Sequence, residues 1–378
     1  MKVIELFSGI GAQSAALKKA NIPHEVVAIS EWSIKSIISY GEIHKNDDIN
    51  PIGREDILKE LEHYTFSMDT KTPYDIKKLK DADLQLLYKN HKRTNNLGSI
   101  MDMKGKQIEG IDLLTYSFPC QNLSNQGKQE GLYNGKSSSL LWQVGRLIDE
   151  AGEKPKVLLM ENVAAILNNK HKAGFDTWKD FLTSHGYHNY VMKLKASHYG
   201  VPQNRERCFM ISSLQEMKGI EDDIRKNERL TELTIQDILE NSPQSKNIKE
   251  NLLKYLPKAI EFHKTINGIK SFSLENYTNF VSECKVYSAE SISPTITATG
   301  ANSNVKIWDN QKIRVLSPRE CWRLMGFEDA QFDKVKDIHS NAELRKQAGN
   351  SIVVPVLMEI FKNIWKRVKG REDFLYIL

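Results

Sequence analysis

The stretch DLLTYSFPCQNLS, residues 112–124, decides how this sequence is interpreted. Its first half is apolar, so we predict a buried β-strand over residues 111–114 that runs out into a loop at Pro119 and Cys120. The loop continues through Gly127 and Gly131, which leaves a thiol at a strand end beside a segment that is free to move. Such a cysteine is either a small buried hydrophobe or a nucleophile, and the rest of the chain has to decide between them.

Two further strands lie at the start of the chain. Residues 2–7 (KVIELF) predict a strand, and a turn containing Gly9 and Gly11 leads from it into a helix with an alanine-rich face. Strand, glycine turn and helix place backbone N–H groups at a helix N-terminus, where they face a ligand. The second strand, residues 25–30 (EVVAIS), ends in Glu31 and Trp32. An acidic residue about 20 positions beyond a glycine turn holds ribose hydroxyls in doubly wound folds, and Trp32 either stacks on an adenine or belongs to the core.

Charged side chains follow two later apolar segments. Residues 157–160 (VLLM) predict a buried strand that ends in Glu161, which is either a strand-end charge or a group placed for chemistry. Residues 197–211 (SHYGVPQNRERCFMI) carry Gln203, Arg205 and Arg207 at alternate positions. Because side chains alternate along a strand, this spacing predicts that all three lie on one face.

Length and composition indicate a chain of two domains without a membrane span. The 378 residues contain no long apolar run and no basic region followed by an apolar one, so we expect neither a transmembrane helix nor a secretory signal. The four cysteines are scattered and show no metal-ligand spacing, which predicts free thiols in a reducing cytoplasm and no metal. The formal net charge of +5 is compatible with a nucleic-acid partner but does not require one.

Residues 46–97 are polar and carry two helical patterns, which predict a helical insertion. It is either a solvated surface elaboration or a phosphate contact through its lysines and Arg93. From about residue 212 to 311 the composition shifts to Lys, Asn, Glu and Ser, which indicates the second domain. Beyond it, Ser317, Pro318 and Glu320 form a good helix start. A Gly-Asn-Ser turn at residues 349–351 is predicted to open the last helix, whose apolar stripe is ordinary core.

In this order the motifs resemble those of the bacterial DNA (cytosine-5)-methyltransferases, most closely the mollicute CpG-methylating enzymes, over nearly the whole chain. The glycine turn is similar to the family's FxGxG, Pro119-Cys120 to its Pro-Cys pair, residues 161–163 to its ENV and residues 203–207 to its QxRxR. The resemblance implies an α/β fold, a doubly wound Rossmann-like S-adenosylmethionine-dependent methyltransferase domain with a smaller target-recognition domain. Residues 1–212 plus 335–378 would form the catalytic domain, with 46–97 inserted, and residues 213–334 the recognition domain.

The resemblance also implies a role for individual residues. The catalytic set is Cys120, Glu161, Arg205 and Arg207. The cofactor-binding set is Phe7, Ser8, Gly9, Gly11, Glu31, Trp32, Ser99, Ile100, Pro119, Asn350 and Ser351. The DNA-binding set is Ser124, Gln126, Gln203, Thr295, Ile296 and Thr297. One position departs from the family: Ser99 stands where an aspartate typically accepts a bond from the adenine amino group.

The reaction implied is methyl transfer from S-adenosylmethionine to C5 of a cytosine that is flipped out of a short duplex DNA site, through a covalent bond from Cys120 to C6. The implied target is built around C-G. The implied partners are double-stranded DNA and a cognate restriction endonuclease acting separately, with the enzyme itself a monomer. Two alternatives stay open. They are a tRNA cytosine-C5 methyltransferase of the same family and a catalytically inactive DNA-binding regulator.

Overall fold

A computed structural model describes residues 1–119, 136–241 and 247–375 of the protein. Side chains are described at all of these residues except 136–139 and 370–375. The described chain divides into two compact units. The first comprises Met1–Leu194, Glu206–Lys226 and the chain from Met358, and the second comprises Lys195–Arg205 and Asn227–Leu357. Residues 195–205 and 335–357 therefore belong to the second unit, although the sequence-based division grouped them with the catalytic domain. The predicted bounds of the functional domains stay a prediction.

A six-stranded sheet forms the centre of the first unit, in the order β2-β1-β3-β4-β7-β5. Its strands are β1 (Lys2–Leu6), β2 (Glu25–Ser30), β3 (Leu113–Tyr116), β4 (Val157–Val163), β5 (His188–Lys195) and β7 (Glu206–Ser213). Strands β2, β1, β3 and β4 pair in parallel, whereas β7 is antiparallel to β4. Parallel pairing with intervening helices is the doubly wound α/β arrangement that the family resemblance implied.

Helices follow the strands of this sheet. They are α1 (Ala12–Lys19), α2 (Ile34–His44), α3 (Arg54–Leu61), α4 (Asp81–Arg93), α5 (Lys136–Glu150), α6 (Asn169–Ser184) and α7 (Ile220–Arg225). One core lies between the sheet and helices α5 and α6, where Leu6 and Leu114 pack with Leu147 and Trp178. The indole of Trp178 donates to the Tyr116 hydroxyl at 3.1 Å, which ties α6 to the end of β3.

The predicted insertion at residues 46–97 builds a second apolar cluster. Helices α3 and α4 pack on each other and α4 packs on α2, with Ile57, Leu61, Leu84 and Leu87 buried among the isoleucines of α2. The second helical pattern is interrupted, because Ile76–Lys78 form a separate 3-10 turn capped by Asp75 before α4 begins. The insertion thus packs on α2 through a buried apolar cluster that the two share.

The second unit contains two sheets. The larger has the order β13-β12-β10-β9-β8, with β8 (His263–Lys264), β9 (Lys270–Ser273), β10 (Lys285–Ser288), β12 (Lys306–Asp309) and β13 (Lys312–Val315). The smaller pairs β6 (Gln203–Asn204) with β11 (Ser293–Pro294) in parallel. Its helices are α8 (Val281–Cys284), α9 (Pro318–Leu324), α10 (Asp329–Asp333), α11 (Asn341–Asn350) and the start of α12 (Val354–Leu375).

The bounds of these elements confirm two sequence-based predictions and correct a third. Strand β2 has the predicted bounds, and the predicted start of α9 is confirmed by a capping box in which Ser317 and Glu320 bond to each other's backbone N–H groups. The Gly-Asn-Ser prediction was wrong in one respect. Gly349 and Asn350 close α11 rather than open α12, which begins three residues after Ser351.

The expectation that Gln203, Arg205 and Arg207 share one face of a strand was also wrong. The Arg205 N–H bonds to the carbonyl of Gln203 at 2.9 Å, so the chain bends there and separates β6 from β7. An alternating pattern predicts a common face only while the backbone stays extended. The bend leaves Gln203 and Arg205 in the second unit and Arg207 in the first.

Candidate active site

The carboxyl ends of four parallel strands meet at one edge of the first unit's sheet. Leu6 is in register with Ser30 on one side and with Tyr116 on the other, and Tyr116 is in register with Met160. The residues that follow these positions are the glycine turn, Glu31, the segment leading to Pro119, and Glu161. Ligands bind in doubly wound folds at this edge, so the topology brings these predicted site residues to one place.

The glycine turn is held in an unusual backbone conformation. Phe7, Gly9 and Gly11 have φ angles of 54°, 55° and 79°. A left-handed phenylalanine costs of order 1–3 kcal/mol, and such strain clusters at functional sites. A Cβ added to Gly9 would meet nothing within 4 Å, so a ligand has room to approach the backbone there.

Gly11 is needed for a different reason from the one expected. A Cβ at Gly11 would collide with the imidazole of His44 and approach the ring of Tyr40 at 2.8 Å. The His44 ring nitrogen in turn bonds to the Ile10 carbonyl at 3.0 Å. Gly11 therefore allows helix α2 to pack closely behind the turn. Of these two glycines, only Gly9 leaves space for a ligand to approach the backbone.

Glu31 organises the second strand end. Its carboxylate accepts backbone N–H bonds from Gly9 at 3.0 Å, from Trp32 at 2.9 Å and from Ser33 at 2.7 Å. Burial raises the pKa of Glu31 above its ordinary value, and these three donors lower it. Since two carboxylate oxygens offer about four lone-pair sites, capacity remains for a hydroxyl donor such as a ribose.

These residues fit the adenosyl donor that the family resemblance implies. Beside the open face of Gly9, the hydroxyl of Ser8 is buried and has no protein partner among the described residues. A buried polar atom without a partner is costly, and a bound ligand would satisfy it. Trp32 is half-buried next to Glu31, a position compatible with contact to a base.

Ser99 and Ile100 lie at the next turn, which is joined to the same edge. The Ser30 hydroxyl donates to the Gly98 carbonyl at 2.8 Å. The Ser99 hydroxyl accepts a bond from the Met101 N–H at 3.3 Å, and Ile100 is buried. The carboxylate of Asp102 accepts from the Thr65 N–H at 3.3 Å, so a carboxylate does stand near this turn, although not at position 99.

Glu161 and Arg207 form an ion pair at the end of the sheet. Strand β4 continues to Val163, three residues beyond its predicted end, because residues 161–163 pair with β7. The Nε atom of Arg207 lies 3.2 Å from a Glu161 carboxylate oxygen, and the two side chains are 18% and 11% exposed. A carboxylate held by a guanidinium at a sheet edge is a fixed hydrogen-bonding group that can face a substrate.

Asn162 contacts the segment that leads to Cys120, a role that the sequence reasoning missed. Its side-chain amide donates to the Phe118 carbonyl at 3.2 Å. Cys120, Ser124 and Gln126 lie outside the described residues, whereas Pro119 is described and exposed. The Asn162 bond therefore positions the last described residues before the cysteine relative to Glu161. The signal available in the sequence was the asparagine that directly follows the strand-end glutamate.

The described cysteines contrast with a catalytic thiol. Cys208, Cys284 and Cys321 are free and buried. Burial raises the pKa of both Cys208 and Cys321 to about 12, so they stay protonated thiols at neutral pH. Because the thiolate is the nucleophile, these side chains are inert core residues. Among the described residues no group of His, Cys, Asp and Glu has the arrangement of a metal site.

In the second unit, Gln203 and Arg205 bind backbone groups. The Gln203 amide donates to the Leu324 carbonyl at 2.9 Å and accepts from the Ile296 N–H at 3.1 Å. Arg205 donates to the carbonyls of Ile296 at 2.9 Å, Gly349 at 3.2 Å and Ser351 at 2.8 Å. Both side chains are buried, so the contacts favour positioning over the predicted contact with DNA or substrate.

The loop that carries the predicted DNA-binding residues Thr295, Ile296 and Thr297, which we call the reading loop, lies on this support. Thr295 donates to the Asn204 carbonyl, Ile296 is buried, and the Thr297 hydroxyl donates to the Thr299 carbonyl at 2.7 Å. A Cβ at Gly349 would lie 2.6 Å from the Thr297 carbonyl oxygen, so the loop backbone rests directly on the end of α11. Ile296 and Ser351 are buried and Asn350 is exposed, and the predicted contacts of these residues with DNA and cofactor stay predictions.

Comparison with known proteins first places the fold among methyltransferases. The chain superposes on the crystal structure of the S. pombe Dnmt2 methyltransferase with a TM-score of 0.65 and 16% identity, covering 98% of this chain and 99% of that one. The Entamoeba histolytica methyltransferase EhMeth gives a TM-score of 0.64 and 14% identity over 97% and 98% of the two chains. Identities this low show a common fold only.

Sequence comparison then gives the family. The model of the C-5 cytosine-specific DNA methylases matches residues 69–366. The orphan methyltransferase M.SssI of the mollicute Spiroplasma monobiae is 38% identical over 96% of this chain and 97% of its own length. The type II methyltransferase M2.ScrFI of Lactococcus lactis subsp. cremoris is 36% identical over 97% and 99%. The chain belongs to the C-5 cytosine-specific DNA methylase family and is a DNA (cytosine-5)-methyltransferase.

A search of the described helices for a membrane-spanning segment, which must be both long and apolar, finds none.

Proposed function

We propose that this enzyme transfers a methyl group from S-adenosylmethionine to C5 of a cytosine flipped out of duplex DNA, through a transient bond between Cys120 and C6. The observation that carries the proposal is the Glu161–Arg207 ion pair at the edge of the sheet, joined through Asn162 to the segment that leads to Cys120. A nucleophile, a group that acts on the ring N3 and a donor site are the parts that this chemistry requires.

Each residue has a defined task in this mechanism. The Cys120 thiolate adds to C6, and Glu161 holds a proton or hydrogen bond at N3, so that the negative charge entering the ring is stabilised and C5 becomes nucleophilic. Arg207 fixes the Glu161 carboxylate, and its guanidinium donates to the base O2. The bound donor supplies the methyl group on a positively charged sulfur. Loss of the C5 proton to a base or to water then expels Cys120 and restores the aromatic ring.

The donor would be held by the first unit's glycine turn. The open face of Gly9, the buried hydroxyl of Ser8 and the remaining acceptor capacity of Glu31 support this assignment. Trp32, Phe7, Ser99, Ile100 and Pro119 complete the proposed set, and the family resemblance adds Asn350 and Ser351. Arg205 and Gln203 support the reading loop that contains Thr295, Ile296 and Thr297, and we propose no direct contact with substrate for either.

A stacked cytosine cannot reach such a site, so the target base leaves the helix at a cost of a few kcal/mol. Ser124 and Gln126 stay proposed DNA contacts, with Gln126 filling the vacated space as the resemblance implies. The same resemblance implies a short site around C-G that is methylated on both strands. M.SssI is named an orphan enzyme and M2.ScrFI a type II enzyme, so the names favour neither the presence nor the absence of a restriction partner.

The decisive experiment incubates the protein with labelled S-adenosylmethionine and either duplex DNA or tRNA. Transfer to duplex DNA is expected; transfer only to tRNA supports the alternative substrate, and no transfer supports an inactive DNA-binding regulator. Bisulfite sequencing of an exposed plasmid then locates the modified cytosines. Modification outside C-G contradicts the target assignment without affecting the chemistry.

A second experiment tests the covalent step. Duplex DNA that contains 5-fluorocytosine has no C5 proton to lose, so methyl transfer should leave the protein attached to the DNA. A denaturation-resistant complex is expected with the natural protein, and none with Cys120→Ala. An equal yield of complex from Cys120→Ala would show that another residue is the nucleophile.

A further inference from the structure

The second unit exposes two large apolar side chains next to each other. Phe280 is 71% exposed and Val281 is 72% exposed, and Phe280 is the one aromatic residue among the described large hydrophobic residues that are exposed. Single exposed hydrophobic residues are normal on protein surfaces. An adjacent phenylalanine and valine on one short turn are less ordinary and suggest a contact surface.

This pair, which we call the Phe280–Val281 knob, stands on a well-anchored turn. The Glu283 N–H bonds to the Phe280 carbonyl at 2.9 Å, and the Cys284 thiol donates to the Thr278 carbonyl at 3.3 Å. The half of the turn that follows the knob is fastened to the sheet, because the Lys306 ammonium donates to the Glu283 carbonyl at 2.8 Å. The backbone is therefore fixed while the two apolar side chains remain outside the core.

The anchors of the turn are themselves buried. Lys306 is 8% exposed, and its ammonium lies 5.6 Å from the centre of the Tyr277 ring. Cys284 packs in the apolar cluster of the second unit with Phe272 and Val286. A rigid turn of this kind presents its side chains with little loss of freedom on binding, which favours a recognition role.

The knob is continuous with the proposed reading loop. Helix α8, which begins at Val281, lies in contact with the 3-10 turn Ala301–Ser303. That turn closes the loop, because the Thr297 N–H bonds to the Asn302 carbonyl at 3.2 Å. The loop thus has the end of α11 on one side, at Gly349, and the knob's helix on the other.

The charge of this region is compatible with a nucleic-acid partner. Residues 251–315 contain eight Lys and Arg residues and five Asp and Glu residues. Apolar side chains meet DNA bases in two ways, by contact with a C5 methyl group in the major groove or by insertion between base pairs. We propose that the Phe280–Val281 knob contacts the bases of the bound DNA duplex beside the target cytosine and contributes to recognition of the site. This inference rests on the proposed function.

The test compares Phe280→Ala and Val281→Ala with Ile266→Ala, a control in the same unit whose side chain is fully exposed. All three should fold normally, since none of these side chains is part of the core; thermal unfolding checks this. Loss of a stacked aromatic should weaken binding of a site-containing duplex about 5- to 150-fold for Phe280→Ala. Ile266→Ala should bind as the natural protein does.

Two further arms identify the contact. A 2-aminopurine placed beside the target should brighten more on binding of the natural protein than on binding of Phe280→Ala if the ring is inserted, since flipping of the target base alone already brightens it. Replacing flanking thymines by uracil should instead weaken binding if a methyl group is touched. Either result supports contact with the bases.

Three results would contradict the inference or the proposed function. If natural protein methylates duplex DNA and Phe280→Ala binds and methylates it within twofold of the natural rate, the inference is wrong and the proposed function stands. A change of oligomeric state in light scattering without a change in DNA binding would assign the knob to a second copy of the chain. If natural protein transfers no methyl group to duplex DNA, the failure lies with the proposed function itself.

Discussion

Replacing Arg205 by methionine should destabilise the protein without touching the reacting groups. Its guanidinium donates to three backbone carbonyls, those of Ile296, Gly349 and Ser351, at 2.8 to 3.2 Å, and the residue is 4% exposed. Each buried carbonyl oxygen left without a hydrogen-bond donor lowers the free energy of unfolding by about 1–3 kcal/mol. A water molecule that enters and donates to the carbonyl offsets part of this loss. We expect a loss of about 3–5 kcal/mol, a large part of the 5–15 kcal/mol that is typical of a folded domain.

Urea unfolding followed by circular dichroism measures this loss, with Arg229→Met as the control because Arg229 is exposed in the same unit. The control should stay within about 0.5 kcal/mol of the natural protein. Arg205→Lys should be intermediate, since an ammonium lacks the planar fork that reaches several carbonyls. If Arg205→Met were as stable as the natural protein and yet inactive, Arg205 would act on a substrate and the positioning role would be refuted.

Five other substitutions test the site and the strand that leads into it. Glu161→Gln removes the ionisable group proposed at N3, and single-turnover methyl transfer should slow about 10²–10⁴-fold; an unchanged rate would remove Glu161 from the mechanism. Burial raises the pKa of Glu5 from 4.5 to about 7, so the folded state keeps a proton that the unfolded chain loses and stability falls as pH rises between these values. Glu5→Gln should abolish this pH dependence. Between pH 4.5 and pH 8 the free energy of unfolding in urea should therefore fall for the natural protein by at most about 3 kcal/mol relative to the variant. Parallel pH profiles of the two proteins would contradict the raised pKa. Gly9→Ala should weaken cofactor binding in calorimetry with about 1 kcal/mol of destabilisation, while Gly11→Ala should mainly destabilise by about 1–3 kcal/mol; equal losses of affinity would mean that both glycines face the ligand. Ser99→Asp should tighten cofactor binding by about 1 kcal/mol, and no change would indicate that another carboxylate such as Asp102 already serves the adenine.

The family and the first unit's sheet were predictable because their signals are local. Residues 25–30 lie close in sequence to the turn and the helix that precede them, and the strand that they form has the predicted bounds. The helix start at Ser317 was predictable for the same reason, since a capping box involves residues only three positions apart. Glu161 was predicted directly after the end of β4; it lies one residue beyond Met160, where the parallel pairing with β3 ends, but inside β4 itself, which runs on to Val163.

The failures share a physical cause, which is contact between residues far apart in sequence. Nothing in the QNRER spacing shows that the chain bends at Arg205, because the bend is stabilised by carbonyls more than 90 positions away. The extension of β4 past Met160 likewise depends on pairing with β7, almost 50 residues later. The reason for Gly11 is a histidine 33 positions beyond it, on the next helix.

The sequence by itself determined the family, the order of the motifs and the residue types available for chemistry, because these are properties of composition and spacing. Only the tertiary structure decided which partner each of those residues bonds to. Gln203 and Arg205 belong to the same motif as Arg207, yet they bond to backbone groups while Arg207 holds Glu161. A motif sets the order of chemical groups along the chain, but the partner of each group is decided by packing, because a buried donor needs an acceptor wherever the fold provides one.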